Sequence, residues 1–319
     1  MSDKKINNFK LYNNYINKKF DYPSLISDIN LSIDFTKLFF RYDSISSHDF
    51  LKLANNIFDS VHKVDNNYRH FKAYKFIDGN PYFFRFDFIF CDNHFLGTSL
   101  RIGHPDINII DFIENNISYD YSIGAVEYSI DIHGSDPYEL FRFIRTTAHI
   151  RWPGKNTPSS YATTYYLSNS RTSLTSGCYA YIKFNTPEKP FVRLELRARN
   201  HFYKRKNIKK VRTALSLRPS EVFKNLSFSY VDLKALLVKS KLALNFETDN
   251  EENNVILNKF FGLIMNQSIF NDLESDSGIV GLTGVKQKVS SITKNSSTIY
   301  KKHEFNQIFF ESIENQSFI

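Results

Sequence analysis

Between Gly177 and Asn200 the chain reads GCYAYIKFNTPEKPFVRLELRARN, and its alternation gathers phenol, ammonium, carboxylate and guanidinium groups on one side of two neighbouring segments. In the first segment Tyr179, Tyr181 and Lys183 point one way, while Ala180, Ile182 and Phe184 point the other. After a loop through Pro187 and Pro190, Phe191, Arg193, Glu195, Arg197 and Arg199 share one side, with Val192, Leu194, Leu196 and Ala198 opposite. This spacing predicts a β-hairpin with a reactive face. A phenol beside a cation and a carboxylate set among arginines can attack a phosphodiester and hold the anion meanwhile. Because a phenol ionises only near about pH 10, it needs a base, a cation or a metal to stabilise the oxyanion as it forms. Lys183 offers such a charge to Tyr181, and Tyr179 is an equally placed phenol.

A third segment, AVEYSIDIHG, sets Val126, Tyr128, Ile130 and Ile132 on one side and Glu127, Ser129, Asp131 and His133 on the other. A sheet joining it to the hairpin brings together Glu195, Asp131 and Glu127 as oxygen ligands for Mg²⁺ or Mn²⁺. Such an ion would neutralise a scissile phosphate and position it for in-line attack. The competing reading is a set of ordinary cross-strand pairs between Glu195 and its arginines. Arg193, Arg197 and Arg199 suit bidentate contacts to phosphate, and equally suit balancing Glu195 and Glu188. The run that follows, with Lys204, Arg205, Lys206, Lys209, Lys210 and Arg212 interleaved by Phe202 and Tyr203, suits a surface gripping a nucleic-acid backbone.

The elements that must position these groups can be read coarsely. Residues 1 to about 70 read as helix and loop, with a helix capped by Ser47 that turns Phe50, Leu53, Ile57 and Val61 inward. YFFRFDFIF places Tyr82, Phe84, Phe86, Phe88 and Phe90 on one side, Arg85 and Asp87 on the other, and LGTSLRIG completes a hairpin through a turn at Cys91 to His94. Asp136 caps a helix opened by Pro137, which carries Leu140, Phe141, Ile144 and Ala148 toward a core. A short strand is expected around Thr163 to Leu167. Helical periods recur in VDLKALLVKSKLALNF and over residues 251–268, and the last forty or so residues read as a polar, weakly periodic tail. The expectation is an α+β fold: a largely antiparallel twisted sheet with helices on one face and the reactive strands on the other. It divides into an N-terminal α+β region over 1–115, a core carrying the chemistry over 116–225, and a helical C-terminal region over 226–319. The hairpins near 82–103 and 178–199 read as related pieces of one extended sheet.

The chain has 319 residues, 42% of them hydrophobic and 16% aromatic, enough for a sizeable core. A net charge of +8 favours polyanionic partners. The opening MSDKKINNFKLYNN lacks the apolar run of a secretory signal, and the best apolar stretch, ALLVKSKLALNF, is interrupted by Lys239 and Lys241. Two cysteines, Cys91 and Cys178, make neither a metal motif nor a disulfide framework, so a reducing cytoplasm is the expected setting and no membrane partner is expected. No phosphate-binding glycine loop with Lys and Ser or Thr, dinucleotide fingerprint, zinc spacing or serine elbow occurs in the sequence.

The order TTYYLSNSRTS, CYAYIKFN, PFVRLELRARN resembles the replication initiation factor family of rolling-circle initiators and related relaxases. Thr164 to Ser173 stands for the family's first block, Tyr181-Ile182-Lys183 for its tyrosine strand, and Val192-Arg193-Leu194-Glu195-Leu196 for its acidic strand. The upstream VEYSIDI is similar to a further acidic strand, and Asp131 matches it better than Glu127. Together these blocks span about a quarter of the chain, residues 120 to 205. The resemblance implies a nucleophilic Tyr181, a metal held by Glu195, a 5′ phosphotyrosine intermediate, DNA as partner, homodimers, and a recruited host helicase and polymerase. Ser168-Asn169-Ser170 departs from the family's Gly-Ser-Arg, and Tyr179 replaces an arginine, so Tyr179 competes for the nucleophile's role. No His-hydrophobic-His motif is present. The rival expectation is an origin-binding or regulatory DNA-binding protein without catalysis.

Overall fold

The longest described strand is the one least evident in the sequence. In the computed structural model, which describes residues 26–64, 69–150, 159–161, 164–167, 177–184, 189–231 and 300–319, a strand β1 (Asp28–Arg41) lies within the region of residues 1 to about 70 read as helix and loop. Its alternation changes phase midway. Ile29 and Ile33 turn into the core, and so do Leu38 and Phe40, with an extra residue, Asp34, between the two sets. That residue is a β-bulge: Ile33 pairs with Tyr128 and Phe35 with Glu127, leaving Asp34 unpaired in the ladder.

After β1 come helix α1 (Ser47–Ile57), strands β2 (Ser60–Lys63), β3 (His70–Ile77), β4 (Asn80–Cys91) and β5 (His94–Gly103), and helix α2 (Ile107–Asn116). The cap of α1 is Ser46, one residue before the expected Ser47, because its hydroxyl accepts from the Asp49 amide. Val61, expected on this helix, lies on β2. The β4–β5 turn runs through Asp92 and Asn93, both left-handed at φ 47° and 66°, the pairing that matches the twist of a hairpin.

The second half follows as β6 (Ser122–His133), α3 (Pro137–Thr147), β7 (Ala148–Ile150), β8 (Ser159–Tyr161), β9 (Thr164–Tyr166), β10 (Gly177–Lys183), β11 (Phe191–Arg199) and α4 (Asn200–Arg205). Asp136 caps α3 as expected, accepting from the amides of Tyr138 and Glu139. Helices α5 (Val211–Leu215) and α6 (Pro219–Val222), strands β12 (Leu226–Val231) and β13 (Tyr300–Lys302), and helix α7 (Phe305–Glu314) complete the described chain.

Ten strands form one sheet in the order β2-β3-β4-β5-β1-β6-β11-β10-β9-β8, every pairing antiparallel, and β13-β12-β7 form a small second sheet. The fold is therefore α+β. The described helices cover one face. Phe50 of α1 packs on Phe40 and Phe86, and Phe143 of α3 packs against Phe228 and Phe305. Because β1 is hydrogen-bonded to both β5 and β6, the boundary expected near residue 115 divides two halves of one sheet. The end of the expected polar tail is also part of the core: Phe305, Phe309 and Ile313 are buried and Phe318 packs on Tyr128. Its periodicity lies in a single ten-residue helix, too short to stand out beside a polar run. The helical periods expected over 232–268 lie outside the described residues.

Candidate functional site

Cys178 and Ala180 of β10 and Val192, Leu194, Leu196 and Ala198 of β11 are all buried on the helix side of the sheet. That burial fixes the register and turns Tyr179, Tyr181, Arg193, Glu195 and Arg197 to the face away from the described helices. Tyr179 stands opposite Glu195, Tyr181 opposite Arg193, and across the next seam Arg193 faces Asp131, Glu195 faces Ser129 and Arg197 faces Glu127. The three predicted strands thus meet, side by side, in the predicted orientation.

On this face Glu127 and Glu195 are buried, at 5% and 3% exposure, which is unusual for carboxylates on a sheet surface. Each is bonded to a phenol. The Tyr181 hydroxyl donates to Glu195 Oε1 at 2.6 Å, and the Tyr179 hydroxyl donates to Glu127 Oε2 at 2.7 Å. Arg197 Nε donates to the same Glu127 oxygen at 2.5 Å, and its Nη2 approaches the Tyr179 hydroxyl at 3.3 Å. The two phenol rings stack with centroids 6.3 Å apart, and Tyr166 of β9 extends the row at 5.8 Å from Tyr179.

The structure changes the expected ligand set. Asp131 is clasped by Arg193, whose Nε and Nη2 donate to its two oxygens at 2.5 and 2.6 Å, so both oxygens point at a guanidinium. In its place the bulge delivers Asp34, and one carboxylate oxygen each from Asp34, Glu127 and Glu195 lie within 4.8 Å of one another. Arg193 Nη1 also donates to both oxygens of Asp34, at 2.8 and 2.9 Å. Sequence reasoning missed Asp34, although the phase change in LSIDFTKLFF was a signal for it. The Lys183 ammonium lies 6.0 Å from the centre of the Phe191 ring, and Arg193 supplies a cation that acts on the Tyr181 hydroxyl. The basic run also lies elsewhere. Lys204 and Arg205 ride on α4, whose Tyr203 meets Tyr128 on the helix side of β6. Lys206 caps that helix and Lys209 and Lys210 lie just beyond it, whereas Arg199 stays on the face of the site. His133 packs against Phe191 with the rings tilted and their centroids 4.6 Å apart, and residues 168–173 of the first family block lie outside the described residues.

No protein-family model matches the chain, and no curated protein matches it.

The arrangement itself limits the chemistry. Four carboxylates, Asp34, Glu127, Asp131 and Glu195, meet two guanidinium groups, those of Arg193 and Arg197. Two negative charges are left over in a buried site. Burial first, with Glu127 and Asp34 adding repulsion against the two phenol hydrogen bonds, pushes the Glu195 carboxyl up to about 7. Burial, then the carboxylates, raise both phenols well above their ordinary value. Ser129, between Glu127 and Asp131, has a buried hydroxyl with no partner among the described residues. A hard divalent cation on Asp34, Glu127 and Glu195 suits this all-oxygen donor set and its excess charge. Among the described residues no helix is long and apolar enough to cross a membrane.

Proposed function

We propose that this protein nicks and rejoins one strand of DNA through a 5′ phosphotyrosine at Tyr181, as the initiator of rolling-circle replication of a plasmid or phage. The observation that carries the reading is the Tyr181 hydroxyl donating at 2.6 Å to Glu195 within the three-carboxylate cluster. Glu195, the carboxylate to which the Tyr181 hydroxyl donates, takes the phenol proton as the Tyr181 oxygen attacks phosphorus. The bond from phosphorus to the 3′ oxygen breaks, and the proton passes from Glu195 to that oxygen. The products are a 5′ phosphotyrosine and a free 3′ hydroxyl for a host polymerase to extend behind a host helicase. The reverse sequence rejoins the strand.

Asp34, Glu127 and Glu195 would hold Mg²⁺ or Mn²⁺, which supplies charge neutralisation at the phosphate and lowers the cost of a phenolate. Tyr181 is preferred to Tyr179 as nucleophile on the family resemblance, since the Tyr179 hydroxyl is likewise bonded to a carboxylate of the cluster, Glu127, and lies beside Arg197.

The test uses supercoiled plasmid carrying the cognate origin, with Mg²⁺ or Mn²⁺. Relaxed circles with protein on a 5′ end are expected from the wild type and Tyr179→Phe, and none from Tyr181→Phe. The opposite pattern would move the nucleophile to Tyr179. Steeply salt-dependent binding with no adduct in any variant would leave a DNA-binding protein without catalysis.

A further inference from the structure

Beside the tyrosines, the same open face carries a row of cations that runs across the strands. Pair by pair, Lys72 of β3 stands opposite Arg85 of β4, Arg85 opposite Arg101 of β5, Arg101 opposite Lys37 of β1, Lys37 opposite Ala125 of β6, and Ala125 opposite Arg199 of β11. At about 4.8 Å per strand the row covers about 24 Å. Like charges directly opposite one another destabilise a sheet, so such a row is not a product of strand stability. Four of these cations, Lys37, Arg85, Arg101 and Arg199, line a pocket of about 550 Å³ in which Asp87 is the one lining carboxylate.

Three further features point to an anion. Asp87 is already bonded to Arg85 at 3.0 Å and to His70 at 2.7 Å. Ser99, on the pocket wall, is 1% exposed and its hydroxyl has no partner among the described residues. Lys37 is half-buried, and its ammonium is pulled below its ordinary value by burial, which Asp87 opposes and Arg101, Arg199 and Arg85 reinforce. The pocket also joins the tyrosine site. Arg197 lines it while bonding Glu127, and Phe35 beneath it is covered by Arg101 at 3.9 Å and by Arg197 at 5.2 Å. Along β11 the row lies six residues from Arg193, the partner of Tyr181, or about 20 Å.

We propose that the row Lys72, Arg85, Arg101, Lys37 and Arg199 is a track for the sugar-phosphate backbone of a single DNA strand, holding phosphates a few nucleotides from the one attacked by Tyr181. This rests on the nicking reading for its ligand and relocates the gripping surface from the Lys204 to Arg212 run to the face of the site. The Ser99 hydroxyl donates to a phosphate oxygen, and the cations exchange mutual repulsion for charge-assisted hydrogen bonds.

The experiment is fluorescence anisotropy of a labelled 20-nucleotide oligothymidine with the full chain in EDTA, titrated over a range of salt. Lys37→Gln combined with Arg101→Gln is expected to weaken binding about tenfold and to reduce the slope of log affinity against log salt by about 1.4, at about 0.7 per lost phosphate contact. Its Tm should be equal to or above that of the wild type. Half-exposed Arg85→Gln gives about half the change in slope and decides the matter should the double variant unfold. A wild-type slope in these variants, or a loss of the same size in Lys209→Gln with Lys210→Gln, would overturn the track. If the wild type forms the 5′ adduct while the stripe variants bind normally, the track alone is wrong. If the slopes fall as stated and no adduct ever forms, the nicking reading alone is wrong.

Discussion

The two halves of the sheet are built alike and carry different groups on their open face. The succession β1, α1, β2, β3, β4, β5, α2 recurs as β6, α3, β8, β9, β10, β11, α4, with β7 of the small sheet inserted after α3, and the strand order is symmetrical about the seam between β1 and β6. Each seam strand carries one bulge, at Asp34 on β1 and at Gly124 on β6. At Gly124 a Cβ would meet the Lys37 carbonyl oxygen at 3.2 Å, a tight contact to which the neighbouring strand would have to yield by a few tenths of an ångström. Counting on from each bulge, Lys37 facing Arg101 corresponds to Glu127 facing Arg197. The next pair on the same face sets Ser99 and Asp87 against Glu195 and Tyr179. One scaffold thus carries, side by side on its open face, a cationic groove that runs from β3 across the seam to Arg199 of β11 and a carboxylate-phenol cluster to which β1 contributes Asp34. Inward-facing apolar residues make the frame in both, and only the outward residues decide the chemistry.

The comparison breaks most severely at Arg193. Arg193→Ala leaves the partly buried Asp34 and Asp131 without their guanidinium and is expected to cost about 3 kcal/mol in urea unfolding. Arg101→Ala in the other half should cost nothing or stabilise, by relief of like charge. Next in size is Glu195. Its folded carboxyl is raised from 4.5 to about 7, so folding takes up a proton, and in EDTA stability should fall as pH rises from about 4.5 through about 7. Glu195→Gln should remove that fall and gain on the order of 2 kcal/mol at pH 8, whereas Asp87→Asn should leave the pH profile unchanged. Tyr128→Phe, on the shared helix side, removes the donor to the Ala214 carbonyl at 2.7 Å and should cost about 1–2 kcal/mol. The smallest expected effect is at Ser129 and Ser99: either serine to alanine should stabilise by up to about 1 kcal/mol, read from Tm, by removing an unbonded buried hydroxyl.

Most of the second half was legible because period-2 alternation is a direct consequence of pleat geometry. Burial of Val126, Tyr128, Ile130 and Ile132 on one side of β6 and of Leu194 and Leu196 on β11 follows the pattern residue for residue. The aromatic stripe of β4 was equally plain, with Tyr82, Phe84, Phe86 and Phe88 all buried. β1 was hidden because a bulge shifts the phase at Asp34, and a window that spans both phases shows neither. Pairing across the sheet cannot be read from one strand at a time. The clasp of Arg193 on Asp131, the meeting of Asp34 with Glu127 and Glu195, and the cationic row through Lys37 all depend on which strands become neighbours. The run from Lys204 onward looked adjacent to the site because it follows the hairpin, but α4 folds under Tyr128.

The central position of β1 also bears on how the molecule assembles. Its pairing with β6 joins Asp28 to His133 and Phe39 to Ser122, contacts between distant parts of the chain, and β11 must then close on β6 in turn. Such a topology has high contact order and folds slowly, because long loops are ordered before their contacts form. Until β6 emerges, β1 has an open edge, and until β11 docks, Asp34 has no Glu195 beside it. A fragment spanning 116–225 would lack Asp34 and leave β6 unpaired along one side. The cluster of acidic oxygens is therefore a late product of folding, assembled only in a chain whose two halves have already met.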